Sequence, residues 1–143
     1  MANANNPHFT QAVVNKFADE FLLLLDAGTA AIINIYAADM PTDADTAIGA
    51  QVLLATLTCS GTAGVVSDGA PGGLLTFSAI TDDSSADATD TADFARIFTQ
   101  AGGTVIMDCE VGTATTDIQF NTVAFTSGSA ISISALTITF PES

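Results

Sequence analysis

The residues able to do acid–base, nucleophilic or metal chemistry are unevenly supplied in this chain. One histidine, two cysteines and 16 acidic residues stand against two basic ones, Lys16 and Arg96. A nucleophile needs a base within hydrogen-bond reach, most often His. His8, the sole candidate, is expected in the first turn of a helix beside a polar arm, where capping or solvent contact suits it better than catalysis. No Gly-x-Ser-x-Gly elbow occurs. Gly72-Gly73 and Gly102-Gly103 lack the strand–loop–helix setting of a phosphate cradle, and no P-loop lysine follows either. Cys59 and Cys109 form no Cys-x-x-Cys pair, and one His cannot complete a zinc site with them. Both lie in strand-like segments, where a reduced, buried thiol acts as a small hydrophobe.

Carboxylates are the remaining resource. Asp108 and Glu110 share one face of a predicted strand, the arrangement a glycosidase pair would need. Such a cleft normally has aromatic walls, and the chain has no Trp and a single Tyr, Tyr36. Asp82, Asp83, Asp87, Asp90 and Asp93 offer the hard oxygen ligands that suit Ca²⁺. Their spacing matches no EF-hand loop, so they read as a hydrated loop, as do Asp39, Asp43 and Asp45. No catalytic residue, cofactor-binding residue or metal ligand is therefore assigned, no cofactor is expected, and the chain reads as a non-enzymatic protein. Arg96 stands apart, inside an apolar strand between Phe94 and Phe98. A guanidinium there needs a carboxylate, either in an internal salt bridge or across a subunit contact.

The elements that would position these groups follow from periodicity. Residues 1–6 are a polar, Asn-rich arm. Residues 7–28 read as an amphipathic helix, with Asn6 as its cap, Pro7 in its first turn and Gly28 as a left-handed stop. Phe9, Val13, Phe17 and Phe21 recur at intervals of four along it. That stripe either packs on its own domain or docks on a neighbouring subunit. From residue 29 to 143 the period is two. Ala31, Ile33, Ile35 and Ala37 alternate with Ile32, Asn34 and Tyr36; Leu53, Ala55, Leu57 and Cys59 share a face; Val105, Met107, Cys109 and Val111 alternate with polar positions. Residues 60–73 and 81–91 read as loops, and Gly102-Gly103 as a hairpin turn. Along 130–140 the inward phase slips near Ser134-Ala135, as a β-bulge or a passage between two sheets would require. Seven to nine short strands after one helix, with no βαβ rhythm, predict a mostly β domain: an antiparallel β-sandwich or jelly roll in one unit with the helix.

Charge narrows the partners. The formal net charge is -14 over 143 residues. Two basic residues cannot neutralise a run of phosphates, so nucleic acid is excluded, and an anionic membrane would repel the chain. The expected partner is protein, held by apolar and backbone contacts, or something carrying a basic patch. Neither a signal peptide nor a membrane span is expected: residues 1–7 carry no basic residue, and the apolar burst at 21–25 is too short to cross a bilayer.

Several segments carry a resemblance. They are Ile33-x-Ile35-Tyr36, the loop with Pro41 and Ala44-Asp45, and Leu53-Leu54-Ala55-Thr56-Leu57. Thr91-Ala92-Asp93-Phe94-Ala95-Arg96-Ile97 follows, and then the ending from Gly128 through Ile131, Ile133 and Leu136-Thr137-Ile138-Thr139-Phe140-Pro141-Glu142. Together they are similar to a family of small virion structural proteins of tailed bacteriophages, over nearly the whole chain after residue 8. Asp93 stands where that pattern often has an aromatic. The resemblance implies a capsid decoration, or cement, protein. Such a protein is a β-sandwich module, commonly a homotrimer, on the outer surface of the virion, bound to the major capsid protein and assembled in the host cytoplasm. Packaged DNA would repel a chain of this charge, which independently favours the outside of a shell. Candidate interface residues are Phe9, Val13, Phe17, Phe21 and Arg96. The alternative is a tail or fibre-tip module binding a host receptor or glycan. That function favours exposed aromatic platforms in the loops, and these loops are rich in Asp, Ser, Thr and Gly instead.

Overall fold

A computed structural model of the chain describes residues 7–69 and 72–142. The expected N-terminal arm, 1–6, lies outside the described residues. The chain is mostly β, preceded by one helix, α1 (Gln11–Leu25). Ten strands follow: β1 (Ile32–Ala37), β2 (Val52–Cys59), β3 (Gly64–Asp68), β4 (Gly73–Phe77), β5 (Ile80–Thr81), β6 (Asp90–Phe98), β7 (Val105–Gly112), β8 (Ile118–Gln119), β9 (Ala124–Phe125) and β10 (Thr137–Phe140). The larger sheet has the order β5-β2-β1-β6-β7-β8, with β9 also on β6, and the smaller has the order β10-β4-β3. One core cluster draws on both: Ile33 and Ile35 from β1, Ala55 and Leu57 from β2, Ile97 from β6, and Leu75 and Phe77 from β4. The alternation of β1 sets its inner face as expected; in β2, Ala55, Leu57 and Cys59 are inside as expected, but Leu53 is only half-buried and Leu54 is fully buried instead, because the register slips between Ile35 and Tyr36.

Several expectations need correction. The helix is shorter than 7–28. Its N-terminal boundary is Thr10, extended at φ -77 and ψ 155. The Phe9 N–H instead donates to the Glu142 carbonyl at 3.0 Å, which holds the approach to the helix straight along the C-terminal segment. His8 therefore precedes the helix and is exposed. The helix ends at Asp26, whose carboxylate accepts the Ala63 N–H at 2.8 Å. Gly28 is not in the left-handed region; it is needed because a Cβ there would sit 2.5 Å from the Thr99 carbonyl oxygen. Gly102, at φ +67, does turn the β6–β7 hairpin.

Residues 60–73 are not all loop, since β3 lies there as an edge strand of the small sheet. The 81–91 stretch is knitted down rather than free. Asp83 and Ile131 exchange two backbone hydrogen bonds, and Ala86 is buried. The predicted strand 130–140 is broken by a bend at Ser134, so Ile131 bridges to Asp83 while only Thr137–Phe140 joins the small sheet. That route keeps Ile131, Ile133 and Leu136 all inside, which accounts for the slipped phase. The pairing is also not wholly antiparallel: β7 and β8 run parallel.

Candidate interaction surface

Helix α1 packs on the small sheet through Val14, Ala18 and Leu25, all fully buried. An α-helix turns 100° per residue, so positions spaced by four drift about 40° per step around the axis. The stripe expected to act as one face is split by that drift. Phe21 reaches the small sheet, half-buried with its ring edge-on to Phe140 at 5.4 Å. Phe9, Val13 and Phe17 stay in solvent, Phe17 at 49% exposure. Phe9 meets Phe17 edge to face, ring centres 5.5 Å apart, so the two rings form one surface. Leu24 continues it about two turns on, and Leu23 lies exposed beside it at 64%. These exposed apolar side chains, on an otherwise acidic molecule, make the candidate interaction surface. The C-terminal segment borders it through the Phe9–Glu142 hydrogen bond.

The fifth candidate, Arg96, lies elsewhere. It is 2% exposed, on the face of the large sheet opposite the core. Register places it between Asn34 of β1 and Asp108 of β7. Its Nε donates to Asp108 Oδ1 at 2.6 Å and its Nη2 to Oδ2 at 2.7 Å, a two-pronged pair. Nη1 donates to the Thr46 carbonyl at 2.7 Å and Nη2 to that of Asp43 at 3.4 Å. The internal salt bridge is thus the arrangement present, and the subunit contact is not available to a side chain this covered. Hydrogen bonding to Asp108 raises the guanidinium pKa against the opposing pull of burial. The loop 38–51 is laid over the sheet by these bonds. Thr56 Oγ1 donates to Asn34 Oδ1 at 3.0 Å, Asn34 Nδ2 donates to Tyr36 Oη at 3.2 Å, and Tyr36 stacks on Phe94 at 5.2 Å. Those partners were not anticipated; the signal available was the shared outward phase of Asn34, Tyr36, Phe94, Arg96 and Asp108 on neighbouring strands.

The remaining candidates are occupied by structure. Asp108 is committed to Arg96, whereas Glu110 is exposed and has no such partner. Asp83 accepts the Thr56 and Ser85 N–H groups, at 2.8 and 2.9 Å, and so fastens its loop to β2. Among the described residues, no group of three or more His, Cys, Asp or Glu converges as a metal site would require. Cys59 and Cys109 are free and buried on separate strands. Burial first, with nearby carboxylates adding, pushes their thiols up to about 11 and about 12. No described helix is long and apolar enough to cross a membrane. A depression of about 260 Å³ lies beside Phe120, Phe125 and Ile131. Its polar lining, Asn121, Thr122, Thr126, Ser129 and Ser132, is exposed, and it holds no buried polar atom left without a hydrogen bond. No family model matches the chain, and no curated protein or solved structure matches it.

Proposed function

We propose that this chain is a bacteriophage capsid decoration protein, a homotrimer that binds the outer face of the major capsid protein shell and stabilises it. The observation that carries the reading is the exposed apolar strip of Val13, Phe17 and Leu24 on α1 with Phe9 just before it. A net charge of -14 makes association costly, so contacts between copies, or with a shell, must come from apolar burial and backbone hydrogen bonds. The strip is where such burial is available, and the charge keeps the rest of the surface soluble and away from packaged DNA. Each removed Å² of apolar surface contributes about 25 cal/mol, so a contact repeated over many seams adds up. The same reading takes the two sheets as halves of a β-sandwich of jelly-roll type, supported by their shared core. No catalysis and no cofactor belong to it.

Sedimentation of the purified chain tests the trimer. The expected particle is about three times the 14.5 kDa chain mass, falling to one chain mass in Phe17→Ser while the circular dichroism stays unchanged. A parent protein that sediments as a monomer at all concentrations and is not retained by shells contradicts the proposal.

A further inference from the structure

Among the described residues, strand β10 is paired on one edge only, with β4. The Phe77 N–H donates to the Leu136 carbonyl at 2.9 Å, and Thr137 stands opposite Thr76. In an antiparallel ladder this phase turns the backbone groups of Ile138 and Phe140 toward β4, and those of Thr137 and Thr139 away from it. Strand β7 has a comparable free edge. It pairs with β6 along its length, but with β8 only at Val111 and Gly112. The Glu110 N–H points outward to Asp117 Oδ2 at 2.9 Å, so the alternation aims the Asp108 backbone outward too. Between the two edges lie adjoining depressions of about 300 and about 320 Å³. Both are lined by Asp117, Leu136 and Thr137, and Met107, Cys109 and Ile138 line the first.

We infer that this cleft accepts an extended segment of another protein, added as a strand to the free edge of β10, with an aliphatic side chain over Leu136 and Ile138 and a Lys or Arg at Asp117. Edge strands are normally blunted by Lys, Pro or a bulge. Thr137–Phe140 contains none of these, and its exposed Thr137 and Thr139 carry the free backbone groups. Added strands gain affinity from main-chain hydrogen bonds and specificity from alternate side chains. Asp117 lines both depressions, and the chain around it is strongly acidic, so the complementary segment is cationic. A second copy of this chain cannot supply it. Its two cations are Lys16, in the middle of α1, and Arg96, buried against Asp108. The donor is therefore a different protein. That the donor is a shell protein rests on the reading above; the cleft itself does not.

The probe is a blocked hexapeptide of alternating valine and lysine, titrated into the full chain while backbone amide shifts are followed by NMR. Saturable shifts are expected at Thr137, Thr139 and Asp108. Thr139→Pro should retain the parent melting temperature, because that N–H faces no partner and proline is tolerated on such an edge. It should bind the peptide about tenfold more weakly, the loss of roughly one backbone hydrogen bond. Asp117→Asn gives a second readout, losing the preference for the lysine peptide over one with glutamate in its place. Absence of saturable shifts along β10, equal binding by Thr139→Pro, or equal binding of the glutamate peptide to the parent overturns the inference. Peptide binding by a chain that is missing from virus particles would keep the cleft and discard the shell. A particle-borne chain with an inert cleft would do the reverse.

Discussion

Arg96 shows what one residue does when it is the only one of its kind. Its guanidinium joins two parts of the molecule: Asp108 on β7 and the carbonyls of Asp43 and Thr46 in the loop 38–51. Arg96→Ala leaves the Asp108 carboxylate buried without its partner, which costs about 3–5 kcal/mol, whereas exposed Asp87 makes no side-chain hydrogen bond and Asp87→Ala should stay within about 0.5 kcal/mol. Thermal melting of the two variants beside the parent checks this, and equal Tm values would remove Arg96 from the account. The cysteines make a pH prediction at the same scale. Their thiols titrate near 9.0 when unperturbed and are pushed up to about 11 for Cys59 and about 12 for Cys109. Above pH 9 the unfolded chain sheds these protons while the folded chain keeps them, so their contribution is intact below pH 9 and is lost as pH rises toward 11–12. Alkaline unfolding curves should show that loss, reduced in Cys109→Ala relative to the parent's slope. That Arg96 needed a carboxylate was legible from its apolar neighbours. That Asp108 supplies it was not, because strand pairing across the β6–β7 hairpin fixes which outward residues meet, and a bulge there between Ile97 and Phe98 shifts the register.

At the scale of elements, helix α1 has two apolar faces and uses one internally. Ala18 is fully buried against the small sheet, so Ala18→Glu should cost several kcal/mol through an uncompensated buried charge. Phe17 lies in solvent, so Phe17→Ser should leave the monomer's denaturant midpoint nearly unchanged. Urea titrations of both below the concentration of self-association separate the two faces; similar losses would mean that Phe17 also packs internally. The helix itself was readable from its periodicity. The face it buries was not, because a spacing of four is close enough to 3.6 to look like one stripe yet drifts off the sheet within three steps. The strands of the core were readable from alternation, as in Ile33, Ile35, Ala55 and Leu57. β3 was hidden by the glycines around it, and the broken 130–140 segment by the fact that Ile131, Ile133 and Leu136 all stay buried across the break.

For the whole molecule, charge and topology act together. The acidic surface makes like copies repel, so association has to be concentrated where apolar surface is exposed and backbone is unpaired. The helix strip and the cleft beside β10 are the two places proposed for it. Composition alone argued against nucleic acid and anionic membranes as partners, and alternation alone made the fold mostly β. The order β5-β2-β1-β6-β7-β8 lay beyond reach, since alternation says which face a residue takes and nothing about which strand lies beside it. The central claim is that this chain decorates a capsid. The direct measurement is its copy number in purified virus particles, by quantitative mass spectrometry against the major shell protein. A decoration protein is present in numbers comparable to the shell protein itself. A handful of copies would assign the chain to the tail or a fibre, and absence from the particles would contradict the account.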